Sequence, residues 1–248
     1  MHPQTRTPQH FEMPLQIDVI RGEAVESRHL VDIALSDGQG RLMLGYGDVE
    51  AVVFPRSAIK PLQALAVVEA LQEAGQLEQL SDQEIAVLCA SHNGEQQHVD
   101  IVGRLLDRFD IPQDRLACGA HWSLHQPTLI SQARSLNSPE KIHNNCSGKH
   151  AGMLVLAHLC GHEAANYADW QHPVQRRMIQ IMSQLASCDI LSYPHGIDGC
   201  GAPAFSAPLQ AWARAFALFA GGGTLDDGLA AGCRTLSKAI AKAPFMIA

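Results

Sequence analysis

A serine and a lysine stand three positions apart at the start of an apolar stretch, FPRSAIKPLQALAVVEAL at residues 54–71. The Ser57 hydroxyl holds its proton at neutral pH, so it attacks a carbonyl carbon only when a neighbouring base accepts that proton. Lys60 is such a base if burial or nearby positive charge lowers the pKa of its amine. Because residues three apart face the same side of a helical turn, the spacing indicates a nucleophilic serine, with an ordinary helix start and a solvated lysine as the alternative.

The proline after this lysine affects where the helix starts. Pro61 disfavours the helical region for the residue before it, so the pattern predicts a tight turn over 57–60 and a helix from Pro61. Spacing alone is weak evidence for catalysis, because SPEK at 138–141 has the same spacing and is typical of an N-cap followed by proline. The first copy has the better context, since it follows a strand-like run, lies beside Arg56 and leads an apolar helix.

A second polar cluster follows the apolar run IAVLC. The stretch ASHNGE places Ser91, His92 and Asn93 at the end of what looks like a buried element. Their donors and acceptors are typical of a substrate pocket, and a turn stabilised by Asn-Gly is the alternative.

Two cysteines lie in glycine-containing segments, HNNCSGKHAGML and HGIDGCGAPAF. Cys146 precedes Lys149 by three residues and His150 by four, and both spacings bring side chains together on a helix. A helix N-terminus also lowers the pKa of a thiol. Asp198 and Cys200 lie in a turn whose glycines allow close backbone approach. Cys146 and Cys200 could share a zinc ion with a third ligand from nearby, and buried thiols without metal are the alternative.

Composition narrows the class of protein. The 248 residues are 46% hydrophobic and 17% charged, which is typical of a soluble globular protein. A net charge of −7 argues against a nucleic-acid partner. We expect no membrane span and no secretory signal, because no apolar run of about 18 residues and no apolar leader is present. Seven irregularly spaced cysteines indicate a reducing cytoplasm, not a disulfide scaffold.

The order of elements predicts an α+β architecture, not regular βαβ winding. Residues 16–54 are β-rich, with a hairpin at the DGQG turn, residues 37–40. Residues 112–145 are expected to be irregular, with His121, His125 and His143 as exposed loop residues. Helices are predicted after Ser57, over 98–111, 147–162, 172–186 and 207–223, and from about Asp226. Residues 1–15 are expected to form a flexible tail and 16–248 one domain.

Taken together and in this order, FPRSAIKPLQ, CASHNGE, NNCSGKHAGML and GIDGCGAP resemble the bacterial asparaginase II family of the Rhizobium etli type. The resemblance runs from about residue 16 to the end. It implies a fold similar to serine β-lactamases and β-lactamase-like glutaminases, with a mixed sheet and a helical portion. It also implies hydrolysis of L-asparagine to L-aspartate and ammonia by a homodimer.

The resemblance also implies roles for individual residues. Ser57 would be the nucleophile or its close partner, Lys60 the base and Ser91 the second active-site serine. A zinc ion beside the substrate would be held by Cys146, Lys149 and Cys200, with the lysine binding as its free amine. The expected substrate contacts are Arg56, His92, Asn93, His150 and Asp198.

The sequence departs from the family pattern in one respect. The family continues into a glycine-rich segment whose lysine pairs with the second serine, and no residue here matches that lysine. We therefore expect the C-terminal part of the fold to be missing, with a sheet edge and a core face uncovered. Two alternatives stay open: another Ser-Lys acyl hydrolase of glutaminase or β-lactamase-like type, or an inactive truncated homologue that binds a ligand or dimerises.

Overall fold

A computed structural model describes residues 8–221, 223 and 225–247 of the chain. Short strands come first and a helical portion follows. The strands are β1 Gln9–Phe11, β2 Leu15–Arg21, β3 Ala24–Val31, β4 Ile33–Ser36, β5 Leu42–Tyr46, β6 Val52–Val53, β7 His195–Ile197, β8 Pro203–Phe205 and β9 Ala207–Pro208. The helices are α1 Lys60–Glu73, α2 Asp82–Val87, α3 Gln96–Arg108, α4 Gln126–Ser135, α5 Ser147–Leu159, α6 Pro173–Ala186, α7 Leu209–Gly221 and α8 Asp227–Lys242.

The strands form small mixed sheets. β5 pairs antiparallel with β4 and parallel with β1, which confirms the hairpin predicted at the DGQG turn. The pairs β2–β3, β6–β9 and β7–β8 are each antiparallel and two-stranded. Of the segment expected to be a tail, residues 1–7 lie outside the described residues, and β1 forms within the rest. These sheets and the helices together make a mixed α+β fold.

Helix α1 lies at the centre of the helical portion, packed against α5, α6 and α8. It is apolar nearly all round, and most of its side chains are buried, as expected for a helix enclosed by others. The predicted tight turn is present as a 3₁₀ turn over Arg56–Ile59. The helix itself begins at Lys60, one residue before Pro61, so the predicted start is correct to within one residue.

The region 112–145 differs from the prediction of irregular structure. It contains α4, and His143 is buried, with its Nδ1 accepting a hydrogen bond from the Glu140 N–H. The helix was missed because QPTLISQARS has little apolar periodicity, and Gln132 is its one buried residue among those described. No helix in the described ranges is both long and apolar enough to span a bilayer.

Candidate active site

Lys60 is the buried cation at the centre of the site. Its side chain is only 2% exposed, and its Nζ donates to the Ala90 carbonyl at 2.5 Å and to Ser91 Oγ at 2.6 Å. Burial lowers the pKa of the Lys60 amine, because the charged form loses its hydration. Proton exchange with the serine is therefore easier than for a surface lysine.

The backbone N–H groups of Ser91 and of the next residue both donate hydrogen bonds that hold this segment in place. Helix α2 ends at Val87, and residues 90–95 run without regular structure towards α3. The Ser91 N–H donates to the Ile247 carbonyl at 3.2 Å, and the next N–H, that of His92, donates to the Asn145 carbonyl at 3.1 Å. These two bonds fix the segment that carries the serine hydroxyl.

Ser57 lies at a pocket, in the 3₁₀ turn before Lys60. The pocket has a volume of about 230 Å³ and is also lined by Arg56, His121, Leu124, Asn144, Asn145, Cys146, Asp198, Gly199 and Cys200. Among the described residues the Ser57 hydroxyl has no hydrogen-bond partner. The Lys60 amine thus contacts Ser91, which is distant in sequence. Ser57 instead lines the space that a substrate could fill.

Arg56 and Asp198 form an ion pair at the wall of this pocket. The guanidinium NH2 group donates to Asp198 Oδ1 at 2.5 Å. Burial alone would raise the pKa of Asp198, but bonds from Arg56 and the Gly199 N–H outweigh it and lower that pKa. Arg56 has φ +48°, a conformation that costs energy for a side-chain-bearing residue and is concentrated at functional sites.

Two thiols and a second lysine meet at the start of α5. Cys146 precedes the helix, and Cys200 lies in the turn between β7 and β8. All three side chains are buried, and Lys149 Nζ lies 3.2 Å from Cys200 Sγ. The proximity of the two thiols raises the pKa of Cys146 and lowers that of Cys200, which His150 and Lys149 lower further.

A close helix contact brings these groups together. A Cβ atom at Gly148 would lie 2.2 Å from the Val87 carbonyl oxygen, so only glycine lets the first turn of α5 approach the end of α2. That approach puts the cysteine pair next to the segment that carries Ser91.

The buried histidines are bonded within the protein. His92 Nδ1 accepts from the Gly94 N–H, so its Nε2 carries the proton and donates to Ser147 Oγ at 2.9 Å. Burial lowers the pKa of His92 to about 3, and the ring is neutral. His150 shares a 2.7 Å bond with the Tyr167 hydroxyl, and its Nε2 is buried without a partner in the described structure. His92, Asn93 and His150 do not line the pocket.

The sequence patterns predicted no site role for three polar side chains of the pocket, those of His121, Asn144 and Asn145. His121 accepts a hydrogen bond from the Asn145 N–H, and the Asn144 side chain bonds both the Cys146 N–H and the Gly119 carbonyl. The signal available in the sequence was the Asn-Asn pair immediately before Cys146.

The described residues contain no group of three or more His, Cys, Asp and Glu side chains placed to hold a metal ion. A site at Cys146 and Cys200 would thus depend on the lysine nitrogen as a third donor.

The site combines a buried lysine–serine contact with a small polar pocket, an arrangement suited to acyl transfer. The family model of L-asparaginase II matches residues 17–248, and the chain belongs to that family. A search of curated proteins found no match.

Proposed function

We propose that this chain hydrolyses L-asparagine to L-aspartate and ammonia, as a member of the Rhizobium etli type of its family. Family membership supports the reaction class. One observation carries the mechanism: the buried Lys60 amine lies 2.6 Å from Ser91 Oγ, and Lys60 directly follows the 3₁₀ turn that carries Ser57 of the pocket.

The proposed reaction uses Ser57 as the nucleophile. Neutral Lys60, bonded to Ser91, accepts the Ser57 proton as Ser57 Oγ attacks the side-chain amide carbon of the substrate. The carbon–nitrogen bond then breaks, and the proton leaves on the nitrogen as ammonia. Water hydrolyses the resulting ester to aspartate and restores the Ser57 hydroxyl. Ser91 keeps the Lys60 amine oriented throughout, and its own hydroxyl is the alternative nucleophile.

Arg56 and Asp198 are suited to a free amino acid. The guanidinium can bind the α-carboxylate of the substrate with two parallel hydrogen bonds, and the Asp198 carboxylate can bind the α-ammonium group. The positive charge of Arg56 and the negative charge of Asp198 lie next to each other on one pocket wall. This arrangement complements the neighbouring carboxylate and ammonium groups of an amino-acid zwitterion. His121, Asn93, His92 and His150 then shape or support the pocket.

We also propose that Cys146, Lys149 and Cys200 hold a zinc ion. The donor set fits, because the buried Cys146 and Cys200 line the same pocket and the buried Lys149 Nζ lies 3.2 Å from Cys200 Sγ. When bound, zinc would polarise or orient a substrate oxygen. The lysine can join only as its free amine.

Three further proposals concern the whole chain. The fold is proposed to be of the serine β-lactamase and glutaminase type, since the Ser-x-x-Lys sequence leads a buried helix. Residues 16–248 are proposed as one domain that acts as a homodimer. A cytoplasmic location is supported by the seven cysteines, all of which the structure describes and all of which are free thiols.

Ammonia release from L-asparagine and L-glutamine tests the proposal, with wild type, Ser57→Ala and Ser91→Ala compared by rate and by intact mass of the acyl-enzyme. We expect Ser57→Ala to lose about three orders of magnitude in rate or more and to form no adduct. Ser91→Ala should be slow but still acylated. Exposed Ser131 supplies the matched control, Ser131→Ala, which should behave as wild type. Acylation of Ser57→Ala but not of Ser91→Ala would contradict the assignment of the nucleophile.

A further inference from the structure

The segment 243–247 reaches the site through its backbone. Pro244–Met246 form a 3₁₀ turn that packs against α2 and α8, and Ile247 follows it. The Ile247 carbonyl accepts the hydrogen bond from the Ser91 N–H. The position of this turn therefore sets the position of the Ser91 backbone.

His98 of α3 holds this turn. The residue is fully buried, and its Nε2 donates to the Phe245 carbonyl at 2.8 Å. Its ring lies stacked between the rings of His92 and Phe245, with centroid distances of 4.9 Å and 4.8 Å. Because a carbonyl can only accept, Nε2 carries the proton, and burial lowers the pKa of His98 so that the ring stays neutral.

We propose that His98 is a positioning residue for the reaction: its hydrogen bond to Phe245 fixes segment 243–247, which fixes Ser91 against Lys60. The inference rests on the proposed function in one respect, the role of the Lys60–Ser91 pair in catalysis. The claim that His98 fixes the position of Ser91 rests only on two hydrogen bonds, from His98 to the Phe245 carbonyl and from Ser91 to the Ile247 carbonyl. His98 touches neither the pocket nor either serine, so it acts through the turn.

A purely structural role is the competing explanation, in which the His98 ring only fills space between two other rings. The two explanations separate because a glutamine can reproduce the Nε2–H donor without the ring, whereas a phenylalanine can reproduce the stacking without the donor. A positioning role depends on the donor, and a space-filling role depends on the ring.

The experiment compares His98→Phe and His98→Gln with wild type in steady-state asparagine hydrolysis. We expect His98→Phe to lower kcat by about 10- to 100-fold with KM changed by less than about threefold, because a small displacement of a reacting group costs that much. His98→Gln, which keeps an N–H donor, should retain most of the wild-type kcat. Asp100→Asn, on the exposed face of the same helix, is the control and should retain the wild-type kcat, and thermal unfolding of His98→Phe reports any fold-wide effect of that variant.

Amide hydrogen exchange read by NMR gives an answer independent of activity. The Ser91 N–H should exchange faster in His98→Phe and as in wild type in His98→Gln. The His92 N–H, bonded to Asn145 on the other side, is the internal reference and should not change. Unchanged Ser91 exchange in His98→Phe, or equal losses of kcat in the two His98 variants, would overturn the proposal. An inactive wild type with the expected exchange pattern would refute the proposed function while leaving the positional claim intact.

Discussion

Burying the amine of Lys60 is costly unless its hydrogen bonds are made. Two acceptors meet it, the Ala90 carbonyl and Ser91 Oγ, both from the segment after α2. The sequence spacing suggested a contact between Ser57 and Lys60 within one turn. The observed contact joins residues 31 positions apart, and local periodicity cannot reveal it because it depends on tertiary packing, which places the segment after α2 beside the start of α1. At the residue scale, the sequence thus singled out Lys60 and Ser91 as candidates but not the contact between them.

The Arg56–Asp198 pair leads to a prediction about substrate affinity. Asp198→Asn should raise KM for L-asparagine by about 10- to 100-fold, since a hydrogen bond to a charged group is worth about 1.5–3 kcal/mol. Its kcat should change much less, because the ammonium group is remote from the reacting amide. Steady-state kinetics measures both, with Asp100→Asn on the exposed face of α3 as the control. A KM equal to that of the control variant would remove Asp198 from substrate binding.

The cysteine pair leads to a prediction about metal content. Protein purified without chelator and dialysed should hold about one zinc per chain, and Cys200→Ala should hold none, because two donors remain of three. Elemental analysis measures this without any activity assay. Cys233→Ala, which removes a buried thiol from α8, should keep its zinc. Equal zinc in the two cysteine variants, or a zinc-free wild type, would rule out the site.

At the scale of elements, the short helix α2 matters because the segment that follows it carries Ser91. Its first turn is a capping box, in which Ser81 Oγ accepts from the Glu84 N–H and the Glu84 carboxylate accepts from the Ser81 N–H. The same carboxylate is paired with Arg108 of α3 at 3.0 Å. One buried acid thus joins the start of α2 to its neighbour.

Because Glu84 makes these bonds as a carboxylate, we expect the free energy of unfolding to depend on pH. Burial alone would raise its pKa, but the bonds from Ser81 and Arg108 outweigh burial and hold the pKa below the ordinary 4.5. A depressed pKa in the folded state stabilises the protein above the unfolded pKa, and this stabilisation is lost as pH falls through the folded pKa. Glu84→Gln should lower the free energy of unfolding by about 1–3 kcal/mol at pH 7.

Urea titrations at several pH values measure this effect. The difference in unfolding free energy between wild type and Glu84→Gln should shrink steadily below about pH 4.5, where the Glu84 carboxylate of the unfolded chain begins to bind a proton, and should vanish once pH has fallen through the lower pKa of the folded protein. Glu78→Gln, on an exposed turn, serves as the control and should match wild type throughout. A difference that stays constant from pH 7 to the acid range would show that Glu84 ionisation does not stabilise α2.

The elements themselves were largely readable from sequence. The hairpin at residues 33–46 and the helices α1, α3, α5, α6, α7 and α8 follow from turn residues and apolar periodicity. Helix α4 was not readable, because its side chains are mostly exposed and polar. The first hairpin, β2–β3, was seen only as a β-rich region, because both its strands lie on the surface and lack a buried alternating face.

At the scale of the whole molecule, the β2–β3 hairpin exposes apolar side chains and pairs with no other strand of the described residues. Leu15, Ile17 and Val19 point to one face of β2 and are each about two-fifths exposed or more. A two-stranded hairpin by itself is marginally stable in water. A second copy of the chain, with the same free edge and the same apolar face, would cover it in the proposed homodimer.

Sedimentation velocity tests this assembly. Wild type should sediment as a dimer at micromolar concentration, and Ile17→Asp should sediment as a monomer because a charge would be buried in the interface. Gln16→Asp puts the same charge on the opposite face of the strand and should leave the dimer intact. A monomeric wild type, or dimers in both variants, would contradict the proposed interface.

The assembly of the site from distant segments was beyond local sequence patterns. Ser57, Ser91, Cys146 and Cys200 come from four segments that no periodicity connects, and only the resemblance to a family brought them together. The structure adds a physical cause for one part of this assembly: glycine at 148 permits the close approach of α5 to the end of α2, which brings Cys146 near the segment that carries Ser91.

The most direct test of the central claim is ammonia release from L-asparagine by wild type and Lys60→Met, with thermal unfolding measured alongside. Methionine keeps most of the buried apolar length of lysine but cannot accept a proton, so the folded protein should persist. We expect the rate to fall by about three orders of magnitude or more while the unfolding temperature does not decrease. A folded Lys60→Met variant that releases ammonia at the wild-type rate would contradict the account, because the serine would then need no lysine base.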